Sequence, residues 1–279
     1  MRDRRQSAVA FAALLLVSLL VAAPGTAGAQ SCGNGPGGFD RWLAAMKVQA
    51  ARQGISQSAI DRALAGVSYD RTVIGLDRNQ RSFKLSFEQF YARRVGSALM
   101  RRARERLARH KAIFDRVEKQ FGVPREIIVA IWGLETNFGA DTAGRFSIIR
   151  SLAALAYDCR RSAFFTPQFL DAIRIVQRGD MTPEQLRGGW AGEIGQTQFL
   201  PSPYIKYAVD FDGDGRRDLV NSVPDILAST ANFLKGHGWR RGEPWEPGTA
   251  NYAVIRDWNR AEVYQRTIAT MAARLRSGG

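Results

Sequence analysis

Cysteine is scarce, with two residues in a chain of 279. That allows one intramolecular bridge and excludes a disulfide-dense scaffold. Long apolar runs are missing after residue 23, so a multi-span membrane protein is excluded. No internal repeat recurs and no low-complexity linker divides the chain, which argues against solenoids and tethered modules. Alternating strand patterns are few, so all-β folds are disfavoured. What remains is an ordinary globular composition, 45% hydrophobic and 24% charged, long enough for one large domain or two small ones.

Acidic residues are outnumbered, 26 against 40 lysines and arginines, for a formal charge of +14. The first residues read as a secretory signal rather than as fold. Arg2, Arg4 and Arg5 precede an apolar run from Ala8 to Ala23, then Pro24, Gly25 and the small pair Ala27 and Ala29. This pattern predicts cleavage after Ala29 and export to the periplasm. An uncleaved anchor is the competing reading, but the run is short for a span. Lipid attachment at Cys32 is disfavoured by the Ala29-Gln30-Ser31 that precedes it. Export would put Cys32 and Cys159 in an oxidising compartment and favour a bridge between them over two buried thiols. It also turns the positive charge towards a cell-wall polymer or membrane surface and away from nucleic acid.

Phe121 to Gly139, FGVPREIIVAIWGLETNFG, organises the rest. Pro124 suits a helix start and Gly139 a stop. Ile127, Ile128, Ala130, Ile131 and Leu134 recur at helical spacing, and Glu135 falls on the same face. An ionised carboxylate there is costly, so burial would hold it protonated near neutral pH, ready to donate. The alternative is a solvated glutamate at a fraying helix end.

Around this helix the patterns predict mostly helices. Phe39 to Leu64 reads as two, broken at Gly54; Tyr69 to Ser82 reads as irregular. Phe83 to Gln120 reads as helical and very basic, a solvated face or a loose contact for an anionic polymer. Ile148 to Tyr157, Phe164 to Gln177, a start at Thr182 and Val223 to Gly236 follow. Asn251 to Arg274 reads as a turn and one final amphipathic helix.

Two further stretches carry chemistry. From Gly188, four glycines with Gln196, Gln198, Tyr204 and Tyr207 offer tight turns, hydrogen bonds and flat faces suited to a sugar groove. Then Asp210, Asp212, Asp214 and Asp218, with Gly215 and the Arg216 carbonyl, match the start of a calcium loop. Its twelfth position is Asn221 rather than Glu, and Asp225 is a candidate for the missing ligand. Asp225 also suits a capping-box helix start, and the whole loop suits a self-bonded Asp/Gly turn.

ETNFG after an apolar helix, WAGEIGQTQFLPSPYIKYAVDFDGDGRRDL and ANFLKGHGW, in that order, resemble the soluble-type lytic transglycosylase B family of murein-degrading enzymes. The likeness runs from about Phe39 to Ala272. It implies a mainly α, lysozyme-like fold with minor β and loop elements, residues 30–279 forming one catalytic domain without a C-terminal wall-binding module. It implies peptidoglycan glycan strands as substrate, Glu135 as the one catalytic carboxyl and no catalytic cofactor; structural Ca2+ at the Asp210 loop is the expectation from its spacing alone. Gln198 matches the family's groove glutamine, and Trp258, Asn259 and Tyr264 match its Tyr-Asn…Tyr positions. The chain departs in three places: Trp258 replaces a tyrosine, Gly189 stands where some members carry a glutamate-positioning serine, and Glu193 replaces a small residue. A monomer is expected, with cell-wall enzyme complexes as candidate partners. The rivals are a hydrolytic muramidase using Asp141 or Glu193, and a non-catalytic wall-binding protein.

Overall fold

The structure, a computed structural model, describes residues 32–80, 85–142 and 144–278. The signal-like residues 1–29 lie outside them. Among the described residues, thirteen helices accompany one two-stranded sheet, as the mainly helical expectation requires. None of these helices is long and apolar enough to cross a membrane.

Helices α1 (Phe39–Arg52) and α2 (Gln57–Leu64) lie where the pattern puts them, and Ser56 caps α2 by accepting from the Ala59 N–H. The stretch from Tyr69, expected to be irregular, instead holds α3 (Arg71–Arg78). Asp70 accepts the Thr72 and Val73 N–H groups and turns Val73 and Ile74 inward. Among its eight residues only Val73 and Ile74 are buried apolar positions, so the Asp70 cap was the main clue. The basic stretch is three helices, α4 (Phe87–Arg94), α5 (Ser97–Arg109) and α6 (Lys111–Phe121), broken at Gly96 and His110.

Next comes α7 (Arg125–Thr136). Pro124 is its N-cap, and Asn137 and Phe138 both take left-handed backbone (φ 52° and 59°), ending it before the expected Gly139. A short strand, β1 (Phe146–Ser147), leads into α8 (Ile148–Tyr157) and pairs antiparallel with β2 (Arg187–Gly188). Helix α9 (Ser162–Arg178) carries Pro167 internally. The helix expected from Thr182 is only a turn. Thr182 and Gln185 bond each other as a capping box would, but the chain goes on into β2. Helices α10 (Pro201–Tyr207) and α11 (Val223–Gly236) follow. The final stretch is two helices, α12 (Ala250–Trp258), capped by Thr249, and α13 (Glu262–Arg276).

The core centres on α7, where every residue from Ile127 to Leu134 is buried. It packs against α5, α11 and α13, while α8 and α9 pack on each other. Gly133 has a specific reason: a Cβ there would lie 2.6 Å from the Phe138 ring, which folds back across the helix end. That closure fixes the turn beyond Glu135.

Cys32 and Cys159 are bonded, joining the start of the described chain to the α8–α9 turn across 127 residues of sequence. Gly33 adds bonds with Tyr157 and Cys159. Reduction should lower stability by about 2–5 kcal/mol, as loss of a native bridge does elsewhere. Thermal melts with and without reductant check this. Two titratable thiols in freshly isolated, unreduced, unfolded protein would exclude the bridge.

Candidate active site

Glu135 sits in the last turn of α7, half-buried, with its carboxyl opening onto a cleft. Three elements close around it. Trp258, at the end of α12, donates its indole N–H to Oε1 at 2.9 Å. Tyr264 of α13 is buried beside it; its hydroxyl makes no well-formed hydrogen bond but faces both Glu135 and Arg94. Arg94, ending α4, donates to the Leu134 carbonyl. Burial raises the Glu135 carboxyl above its ordinary range, against the opposing pull of Trp258, Tyr264 and Arg94; the Glu193 carboxylate adds to the rise. This is the combination a proton donor needs: a carboxyl kept neutral, yet held by donors that can stabilise its anion.

The cleft holds about 470 Å³, with Trp190, Glu193, Gln198, Trp258 and Asn259 on its walls. Beyond Glu135 a second hollow of about 190 Å³ is lined by Arg93, Arg94, Arg102 and Asp141. Glu135 borders both hollows.

Of the expected groove residues, Gln198, Trp258 and Asn259 reach the wall. Gln198 takes left-handed backbone (φ 55°) and bonds the Gly195 carbonyl at 2.8 Å. Asn259 also accepts the Ala261 N–H at 2.9 Å and so fixes the entry to α13. Tyr264 stands behind Glu135 rather than on the wall. Tyr204 does not belong in the groove. It is fully buried, and its hydroxyl is donated to the Arg217 carbonyl. Tyr207 packs on Phe233 and His237. Gln196 is tied to Trp132 and to the Val220 carbonyl. These rings and amides looked like binding groups because buried polar anchors use the same residue types.

Trp258 does more than a stacking face would, because the indole N–H supplies a donor to the carboxyl. Sequence reading missed Trp190, Phe164 and Arg161 on the cleft wall. Phe164 is half exposed, and Arg161 is anchored by the buried Asp77 of α3. Only the fold brings α3 and α9 together, so no local signal marked them.

In the acidic loop, carboxylates of Asp210, Asp212 and Asp214 lie within 4.8 Å of one another. All five carboxylates accept hydrogen bonds, Asp210 from the Gly213, Asp214 and Gly215 N–H groups and Asp212 from the Ser222 hydroxyl, and Asp218 and Asp225 lie outside the close trio. Asp218 accepts the Val220 and Asn221 N–H groups. Asp225 accepts those of Phe211 (2.7 Å) and Asp218 (2.8 Å). Asp225 therefore pins the loop and does not point a free oxygen pair at a metal. Arg216 is paired through its guanidinium with Asp214.

A family model described as the transglycosylase SLT domain matches residues 38–250. Membrane-bound lytic murein transglycosylase B of Escherichia coli (strain K12) is 40% identical over 130 residues, 46% of this chain; the match spans 36% of that relative's length. The structure of SltB3 from Pseudomonas aeruginosa in complex with NAG-NAM-pentapeptide aligns with a TM-score of 0.80 at 32% identity, covering 86% of this chain and 80% of that one. The Escherichia coli lytic transglycosylase SLT35, solved in complex with calcium, aligns with a TM-score of 0.73 at 21% identity, over 90% and 96% of the two chains, a likeness of fold. Matched by the family model over most of its length, the chain belongs to the transglycosylase SLT domain family.

Proposed function

We propose that the chain is a lytic transglycosylase. It would cleave the β-1,4 bond between N-acetylmuramic acid and N-acetylglucosamine in peptidoglycan and leave 1,6-anhydromuramic ends. The observation that carries this is the Glu135 carboxyl, raised by burial, bonded by Trp258 and open to a cleft of about 470 Å³. Glu135 first protonates the leaving glycosidic oxygen as the C1–O bond breaks. As carboxylate it then takes the proton of the sugar's own C6 hydroxyl, whose oxygen closes on C1. The glutamate ends protonated, as it began, and no water is consumed. The muramic N-acetyl group is suited to stabilise the cation-like intermediate. An internal nucleophile already in place explains why one carboxyl is enough, where hydrolases use two.

Glu193 gives the hydrolytic reading its best footing, since its carboxyl shares the cleft. Mass spectrometry of sacculus digests separates the two. Anhydro ends, lighter by one water than reducing ends, are expected. Reducing ends would mean hydrolysis, and no release of fragments would mean a binding protein.

Residues 30–279 would act as one catalytic unit in the periplasm, with glycan strands as partner. The excess of arginine suits an anionic wall. Of the six expected calcium ligands, the Asp210, Asp212 and Asp214 carboxylates lie close enough together to share a cation. Asp210, Asp212 and Asp214 would hold the ion, which would stabilise the loop and take no part in proton transfer. Ca2+ should raise the melting temperature more than Mg2+ does, and Asp212→Ala should remove the response. Binding to the native state alone gives about 2.7 kcal/mol at a hundredfold excess over Kd. A melt unmoved by Ca2+ identifies a self-bonded turn.

A further inference from the structure

Glu193 is out of place for a turn between glycines. Its stem lies in the strap Gly189–Gly195, which carries Trp190 along the cleft. The Gly189 N–H bonds the Glu193 carbonyl at 2.9 Å, and the Glu193 side chain accepts the Ala191 N–H at 3.0 Å. The carboxyl thus folds back over the turn and shares the cleft with Glu135. Its seat exists because residue 189 has no side chain. A Cβ on Gly189 would lie 2.2 Å from Glu193 Oε2. Among the described residues, the cation that acts on Glu193 is Arg161, the residue before α9, whose Nε is buried without a partner. Around Glu135 stand Trp258, Tyr264 and Arg94, while Asp257 lines the same cleft further along.

We propose that Glu193 is a positioning residue for the reaction: seated over Gly189 and held by the Ala191 N–H, its carboxyl keeps the proton on Glu135 and fixes the Trp190 strap. This rests on Glu135 being the acid. In a partly dry cleft an ionised Glu193 disfavours ionisation of Glu135, which therefore keeps its proton to higher pH. Burial raises Glu193 as well, and Arg161 limits the rise. The shape of the seat couples residues 189 and 193: a side chain at 189 displaces the Glu193 carboxyl from this seat.

The test is the pH profile of kcat/KM on soluble murein glycan strands for the parent, Glu193→Gln, Gly189→Ala, the double variant and Glu135→Gln. Glu193→Gln keeps an acceptor for Ala191 but removes the charge. Its basic limb should move to lower pH, because Glu135 then loses its proton more readily. Gly189→Ala pushes the carboxyl off its seat and should move the limb the same way. In the Glu193→Gln background Gly189→Ala should add no further shift, since the collision partner no longer carries the charge. A purely structural role would lower activity without moving the limb. A limb unmoved in both single variants overturns the inference, even where activity falls. If either variant fails to fold, the other still reads the limb. Activity retained in Glu135→Gln instead overturns the underlying assignment of the acid, and the two failures are distinct.

Discussion

Glu135→Gln should abolish release of murein fragments, with a loss of at least about 10²–10⁴-fold, the usual contribution of a general acid or base. The amide preserves shape and can still accept from the Trp258 indole at the Oε1 position. It cannot give a proton to the leaving oxygen and take one back from the C6 hydroxyl. Fold and glycan binding should survive, so the melting temperature and sedimentation with sacculi serve as controls. The parent's pH dependence follows from the same carboxyl. Glu135 must be protonated to begin, and burial holds its pKa above the ordinary glutamate value of about 4.3. Activity should therefore persist above the range where a free glutamic acid has ionised, and fall as pH rises through the raised value. Wild-type turnover by Glu135→Gln would remove Glu135 from the mechanism and return attention to Glu193 and Asp141.

The central helix and its glutamate were legible because a long buried helix writes its burial directly into sequence. From Ile127 to Leu134 nothing polar interrupts, and a carboxyl next in line is conspicuous. Helix α8 was legible for the same reason. Helix α3 was not. It is held by its cap and by three ion pairs, Arg78–Asp158, Arg160–Asp77 and Arg161–Asp77, that span about 80 residues of sequence. The breaks at Gly96 and His110 were hidden because the basic surface continues across them. The site was half legible. Gln198 and Asn259 reach the cleft wall beside Trp258, whereas Tyr204 turned out to be an internal pillar. Arg161 and Trp190 become wall residues only through the packing of α3, α9 and the glycine strap.

Asp225→Ala should be the most damaging single change to stability outside the apolar core. Asp225 is fully buried in the first turn of α11, where the helix N-terminus favours negative charge. Its two oxygens accept the N–H groups of Phe211 and Asp218, at opposite ends of the acidic loop. Alanine leaves both donors without an acceptor. At roughly 1–3 kcal/mol for each stranded group, the loss is about 2–6 kcal/mol, a large part of the 5–15 kcal/mol typical of a folded domain. The loop continues through Leu219 and Val220, whose carbonyls are bonded by Gln196, so damage there should reach the glycine strap beside the cleft. Asp225→Asn keeps one carbonyl oxygen and should cost less than alanine. It also separates the two roles considered for this residue. If Asp225 is a staple and not a ligand, the asparagine variant melts lower but its melting temperature still rises with Ca2+. Denaturant and thermal unfolding of both variants, with Ca2+ and with chelator, measure this. An alanine variant as stable as the parent would mean that water satisfies those N–H groups and the staple contributes little. An asparagine variant that folds but no longer responds to Ca2+, beside a parent that does, would restore Asp225 to the metal.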